Sequence, residues 1–355
     1  GSGLQITIGG DGDGQIVVVS AGTYQEVAPL QIKRRNVSVI GQALRSCIVH
    51  PTSATELNNL FELNSGSYIA NLTLTGMQAG TGTGNTLDAV LPTDQGWNFA
   101  FYNNAFIVKS PYIQNCTNFS DSQIVNTTSF NPHNPAGGQA GDLTNAPTGG
   151  GMLIDGSVPS SSSPLRSMVA DSYTHVGLNG PGILVTNNGY AQCTSSYAFF
   201  NKYHIKALNG GQANLAASTT DFGERALVAD GKSTSHIFQG NIVGNVDSGS
   251  TTIDVDGISA GSGWFGDDQK PGTNMLVRLN SDDAQIYPIL SATAITGGYR
   301  VTISRPDASN RSTNLGLSEA RTDNDLAQFY LRSQIASSGH TMEYVGSGMD
   351  YDALP

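Results

Sequence analysis

The region between residues 182 and 231 alternates short apolar runs with Gly- and Asn-containing turns, and this alternation repeats every 22 residues. In that register Ile183, Ile205 and Leu227 occupy one apolar column, and Phe200 matches Phe222. The register also matches Val185 with Ala207 and Ala229, Gly189 with Gly211, and Cys193 with Leu215. A fixed period of this length predicts a solenoid, and two-residue alternation without helical spacing predicts that it is built from β-strands. Its coils should stack with equivalent residues about 4.8 Å apart, so that each coil covers the apolar edge of the next.

The N-terminal part of the chain contains short strand-like runs that are each closed by a turn. They read VVVSAGTYQE at residues 17–26, LQIK at 30–33 and NVSVIGQ at 36–42. This succession resembles the opening coils of right-handed parallel β-helices of the pectin lyase-like superfamily. The resemblance implies a fold but no activity, because unrelated functions share the same fold.

Two later coils share a phrase, which reads YIANLT at residues 68–73 and YIQNCT at 112–117. The matched residues Asn71 and Asn115 should lie at a turn, where asparagine tolerates left-handed backbone and can stack its amide on the next coil. Long segments rich in Gly, Thr, Pro and Asn separate the coils and should leave the solenoid at its corners. They are residues 78–96, 131–151 and 158–164.

The rhythm changes after residue 244, where strand-like runs are separated by turns that contain Gly and Asp. We therefore expect a parallel β-helix over residues 1–244 and a small inserted antiparallel β-domain over 245–324. Residues 325–355 should return to solenoid strands and end in an extended tail.

The C-terminal half carries a second resemblance. Its phrases are CTSSYAFFNKYHIKALNGGQANLAASTTDFGERALVADG at residues 193–231, the insert beginning SGSTTIDVDG, and the ending SSGHTMEYVGSGMDYDALP. They resemble β-helical virion structural proteins of tailed phages, in particular marine T4-like phages that infect cyanobacteria. The resemblance implies a tail, baseplate or fibre component of the virion that forms a homotrimer and contacts other virion proteins. A host-surface polysaccharide is a further partner that such a location suggests.

The composition of the chain disfavours several classes of partner and cofactor. The formal net charge is -11 and no basic cluster is present, which disfavours nucleic acid as a partner because phosphate contacts require Lys and Arg. The cysteines Cys47, Cys116 and Cys193 are scattered, so we expect small buried side chains rather than a disulfide framework or a metal knuckle. No membrane insertion, cofactor or metal is expected, and His236 is one of four isolated histidines without ligand spacing.

An enzyme that hydrolyses glycans needs two carboxylates about 5 to 9 Å apart across a groove. The 22-residue register stacks Asp221 on Phe199, so no acidic column forms there. The charged column in this register pairs Lys202 with Glu224.

Alternation in the run 202–207 places Ile205 inward and predicts that Lys202, His204 and Lys206 point outward. This trio is either a base-and-cation site for an acidic sugar or a solvated face with one ion pair, which would contribute at most about 1 kcal/mol. We favour the solvated face.

Asp171 and His175 lie four residues apart, and strand alternation would place them on one face. They are either an acid–base pair or a surface or turn pair, and we favour the surface or turn pair. Near the first long segment, Phe99 and Phe101 should be core residues, whereas Trp97 and Tyr102 should be free to contact another chain or a sugar ring.

The fold predicted from these patterns is all-β, a right-handed parallel β-helix with an inserted antiparallel β-domain. The predicted function is a non-enzymatic virion structural protein, and no catalytic residue is assigned. The alternatives are a tailspike-like polysaccharide depolymerase, either hydrolase or lyase, and a bacterial surface adhesin. If the chain acts on glycans, the candidate residues are Asp171, His175, Lys202 and Glu224.

Overall fold

The structure is a computed structural model that describes most of the chain. The described residues are 14–32, 34–52, 59–75, 97–101, 110–119, 150–156, 166–177, 181–201, 203–223, 225–260, 271–280, 285–307, 309–310, 312–337 and 340–343. Every regular element within these ranges is a β-strand, and none of them contains a helix able to span a membrane.

Three sheets run the length of the solenoid. Sheet A consists, in spatial order, of β1 (Ile16–Val19), β4 (Ser38–Gly41), β7 (Tyr68–Ala70), β10 (Tyr112–Gln114), β13 (Arg166–Asp171), β16 (Gly189–Thr194), β19 (Gln212–Ala216), β28 (Gln334–Ser337) and β29 (His340–Glu343). Sheet B consists of β2 (Gly22–Glu26), β5 (Cys47–Pro51), β8 (Thr73–Thr75), β11 (Thr117–Phe119), β14 (Thr174–Val176), β17 (Tyr197–Phe199) and β20 (Thr219–Asp221). Sheet C consists of β3 (Leu30–Gln31), β6 (Phe61–Glu62), β9 (Trp97–Phe101), β12 (Gly150–Asp155), β15 (Pro181–Thr186), β18 (Tyr203–Leu208) and β21 (Arg225–Asp230).

The chain visits sheets A, B and C in turn, so that each coil adds one strand to every sheet. Among the described strands of these three sheets, the pairings between coils are parallel, and the only antiparallel pair is β28 with β29. The predicted parallel β-helix is therefore confirmed. The predicted register is confirmed as well, because Ile183 pairs with Ile205 and Ile205 with Leu227.

The core lies inside the coils and is built from apolar columns. One column of sheet A runs through Val39, Ile69, Ile113, Ala170 and Cys193, and each of these side chains is buried in a single cluster. The expectation for the cysteines is also confirmed, since Cys47, Cys116 and Cys193 are free and buried. Burial raises the pKa of Cys116 and that of Cys193 to about 12.

The corner between sheets A and B depends on left-handed residues. Asn71 and Asn115 have φ values of 57° and 48°. The Asn115 Nδ2 donates a hydrogen bond of 2.7 Å to the Asn71 Oδ1, which forms the predicted asparagine stack between coils. Ser172, Ser195 and Ala217 have φ values of 52°, 48° and 48° at the same corner of later coils. This repeated turn separates the sheet A strand from the sheet B strand in every one of these coils.

A closed antiparallel barrel interrupts the solenoid. Its strands are β22 (Phe238–Ile242), β23 (Thr252–Ala260), β24 (Met275–Leu279), β25 (Ile286–Ile295), β26 (Gly298–Ile303) and β27 (Leu326–Leu331). They surround a separate apolar core that includes Phe238, Tyr287 and Phe329.

The barrel extends beyond the insert boundaries of 245–324 that the sequence predicts. Its first strand begins at Phe238, and its last strand ends at Leu331 and pairs directly with the first. The barrel closes only because its first strand, β22, pairs with its last strand, β27. The apolar pattern of these two strands resembles that of a solenoid strand, so the sequence pattern does not show that they belong to the barrel. The solenoid resumes at β28, which pairs in parallel with β19.

Candidate functional site

Asp171 lies at the end of β13 on the outer face of sheet A. The Tyr112 Oη donates a hydrogen bond of 3.0 Å to the Asp171 Oδ2, and the Gln114 Nε2 donates one of 3.4 Å to the same oxygen. The Ser172 Oγ donates to the Asp171 Oδ1 over 3.2 Å. The carboxylate therefore accepts hydrogen bonds at both oxygens.

This arrangement follows from the in-register pairing of three coils. Tyr68 pairs with Tyr112, and Gln114 pairs with Asp171, so their side chains share the outer face. The tyrosine ring centroids lie 5.5 Å apart, and the Tyr68 Oη donates to the Gln114 Oε1 over 2.5 Å. Burial of the phenol, and secondarily its hydrogen bond to Asp171, raise the pKa of Tyr112.

The same face continues into the next coils with uncharged groups. The Tyr190 Oη donates to the Gln192 Oε1 over 3.2 Å, and the Asn214 Nδ2 donates to the same oxygen over 3.0 Å. We call this set the sheet A ladder, and all its members are half-buried: Tyr68, Tyr112, Gln114, Asp171, Tyr190, Gln192 and Asn214. Aromatic rings beside amide and hydroxyl groups suit contacts with the apolar faces and hydroxyls of sugars.

The structure separates Asp171 from His175. His175 lies in β14 of sheet B, in register with Asn118 and with the core residue Leu74. Its side chain is 0% exposed and faces the interior. The expectation of a shared face is wrong because strand alternation ends at the left-handed turn of Ser172, where the chain passes from sheet A to sheet B.

Lys202 and Glu224 lie outside the described residues. The two other members of the predicted outward face are not solvated, since His204 is 2% exposed and Lys206 is 5% exposed. Burial lowers the pKa of His204 to about 4, although the nearby Asp221 acts in the opposite direction. The Lys206 Nζ lies 5.0 Å from the centre of the Tyr203 ring.

The expectation of a solvated face is wrong for these two residues because the outer side of sheet C is itself covered. Trp97, Ala100, Leu153 and Leu184 form a buried apolar cluster. Trp97 is 0% exposed, so the expectation that it is free to contact a ligand is also wrong. Phe99 is a core residue as predicted, whereas Tyr102 lies outside the described residues.

Sequence reasoning missed the tyrosines and glutamines of the sheet A ladder. The signal was the shared phrase of residues 68–73 and 112–117, which places Tyr68 directly beside Tyr112 in adjacent coils. No group of three or more His, Cys, Asp or Glu side chains in the described part of the chain could hold a metal ion.

Comparisons with known proteins return no matching family model and no significant match among characterised proteins. Among solved structures, the chain is similar to a pectin methylesterase in complex with hexasaccharide VII, with 10% identity, 62% of this chain and 74% of that chain covered, and a TM-score of 0.29. It is similar to ORF18 of Geobacillus virus E2, with 11% identity, coverage of 88% and 71%, and a TM-score of 0.23. It is also similar to the Dettilon tailspike protein, with 8% identity, coverage of 89% and 87%, and a TM-score of 0.16. Similarity at this level carries no argument about function, and the fold assignment rests on the strand pairing described above.

Proposed function

We propose that the protein is a non-enzymatic structural component of a phage tail, and that it contributes to host attachment by binding a glycan on the sheet A ladder. The observation that carries the binding role is the outer face that joins three tyrosines, three amides and a single carboxylate across adjacent coils. The assignment to a tail is supported by the resemblance of the C-terminal half to phage virion proteins.

The charge pattern of the ladder favours binding over cleavage. Among the described outer positions of sheet A from β1 to β28, Asp171 is the only carboxylate. Glycoside hydrolysis requires a pair of such groups, one as acid and one as base or nucleophile. Because Asp171 already accepts hydrogen bonds from Tyr112, Gln114 and Ser172, it is suited to fixing the orientation of neighbouring donors.

We further propose that the protein acts as a homotrimer. A solenoid presents long lateral faces and end coils that another subunit can cover. Light scattering after size exclusion tests this directly, because one chain has a mass of 37.1 kDa. A trimer would agree with the proposal, and a stable monomer would contradict it.

The binding role is tested by retention of the protein on immobilised host-surface glycan. We expect Tyr112→Ala and Asp171→Ala to lose retention, since each removes members of the ladder. The matched control is Thr219→Ala, an exposed change in sheet B that leaves the ladder intact. Equal retention of all three variants would contradict binding at sheet A.

A further inference from the structure

The barrel joins the solenoid through two antiparallel passes of the chain. Lys232 and Arg332 form an isolated antiparallel bridge at this junction, which we call the neck. The Ser333 backbone N–H donates to the Gly231 oxygen over 3.0 Å, and the Gly210 N–H donates to the Ser333 Oγ over 3.1 Å. These bonds connect the neck to the last complete coil of the solenoid.

A cationic and polar group of side chains lies on one side of the neck. The Lys232 Nζ lies 3.8 Å from the centre of the Tyr330 ring, and Tyr330 is 6% exposed. The His236 and Tyr330 rings pack edge to face, with their centroids 6.3 Å apart. The Gln328 Nε2 lies 3.4 Å from the His236 Nδ1, and the Tyr330 Oη donates to the Gln328 Oε1 over 3.3 Å.

The Lys232 ammonium retains donor capacity. Of its three N–H groups, one donates to the Ser233 carbonyl over 3.3 Å, and within the described part of the chain its Nζ contacts no carboxylate. Burial and the nearby Arg278 both lower the pKa of Lys232, which reflects an environment that lacks a compensating negative charge. A half-buried cation without a carboxylate partner attracts an incoming anion locally, because the anion would offset the cost of burying the charge.

We propose that the neck binds the carboxylate of an acidic sugar, with Lys232 as the cationic contact and the half-buried His236 and Gln328 as the contacts for the sugar hydroxyls. The buried Tyr330 lies beneath them and positions both the ammonium and the Gln328 amide. Lys232 contacts the Tyr330 ring, and the His236 ring and the Gln328 amide contact Tyr330, so groups that can bond to sugar hydroxyls lie next to the cation. Arg278 is a second positive charge near Lys232 and adds to the attraction for a carboxylate. Thr234 and Ser235, which lie between Lys232 and His236 in the sequence, are both exposed. This site is separate from the sheet A ladder and does not depend on the role proposed for that face.

The test is isothermal titration of the purified full chain with three probes, namely glucuronate, glucose and acetate. We expect glucuronate to bind more tightly than either of the others, because only glucuronate carries both the charge and the hydroxyls. Lys232→Gln should weaken glucuronate binding about tenfold or more, as expected for the loss of a charge-assisted contact. Lys232→Arg should retain most of the affinity.

Arg225→Gln is the matched control, since it removes an exposed positive charge from β21 and should leave binding unchanged. Gln328→Ala provides a second test in case Lys232→Gln fails to fold, and it should weaken glucuronate but not acetate. The inference is overturned if glucuronate does not bind, if acetate binds equally well, or if neither the Lys232 nor the Gln328 variants change the affinity.

Discussion

The buried imidazole of His204 should make the protein less stable as the pH falls from 7 to 5. His204 is 2% exposed, its Nδ1 lies 3.3 Å from the Asn201 Nδ2, and burial lowers its pKa from 6.5 to about 4. In this pH window the folded protein keeps His204 neutral, whereas the unfolded chain takes up a proton. The unfolded state therefore binds more protons, and the free energy of unfolding falls with acidification.

Proton linkage gives the size of the effect. With a folded-state pKa of about 4 and an unfolded value of 6.5, the loss between pH 7 and pH 5 is about 2 kcal/mol. The loss approaches its full value of about 3 kcal/mol near pH 4. Carboxylates with lowered pKa values, such as Asp254, Asp307 and Asp325, lose their contributions at lower pH, so the window above pH 5 avoids them. The comparison with a variant that lacks His204 then separates its contribution from that of the other histidines.

The assay is urea unfolding of the wild type and His204→Gln at several pH values between 7 and 5. The variant lacks the titrating group, so its free energy of unfolding should change by about 2 kcal/mol less than that of the wild type over this range. Tyr203→Phe keeps the imidazole and should retain the wild-type pH dependence. Parallel pH profiles for the wild type and His204→Gln would refute the reasoning.

Three further changes test the fold. Asn115→Ala should lower the free energy of unfolding, measured with urea, by about 2 kcal/mol, because it removes the side-chain hydrogen bond to Asn71 and places alanine in left-handed backbone. Asn115→Gly should lower it by about half as much, because glycine adopts this backbone without strain. Gly182→Ala should lower the free energy of unfolding by at least about 2 kcal/mol, because the added Cβ would clash with the His204 backbone oxygen. A thermal unfolding midpoint equal to that of the wild type would contradict this close packing. Cys116 and Cys193 should not react with a thiol reagent in the native protein and should react after unfolding, because burial raises the pKa of each thiol to about 12. Rapid labelling without denaturant would show that the two thiols are accessible to solvent and would contradict their burial.

The sequence was informative wherever a property repeats from coil to coil. The 22-residue register correctly places Ile183, Ile205 and Leu227 in one column, because each coil covers the next with equivalent residues. The asparagine stack was predictable for the same reason, since Asn71 and Asn115 occupy the same turn.

The wrong predictions concern residues whose position depends on neighbouring structure that a local sequence pattern does not contain. Alternation places Asp171 and His175 on the same face only if one strand contains both residues. The left-handed turn at Ser172 ends that strand, so the two residues lie in different sheets. Alternation gave the outward direction of His204 and Lys206 but not their burial, which depends on what covers sheet C. The barrel boundary was missed because the strand Leu326–Leu331 has the same apolar pattern in a barrel as in a coil.

The most direct test of the proposed function follows both the binding and the length of host-surface glycan during incubation with the purified protein. Size-exclusion chromatography of the glycan over time reports its chain length, and co-elution with the protein reports binding. Our account predicts that the glycan co-elutes with the protein, that this depends on Tyr112, and that the chain length stays unchanged. A progressive shortening of the glycan that is lost in Asp171→Asn would contradict the account and identify the protein as a depolymerase.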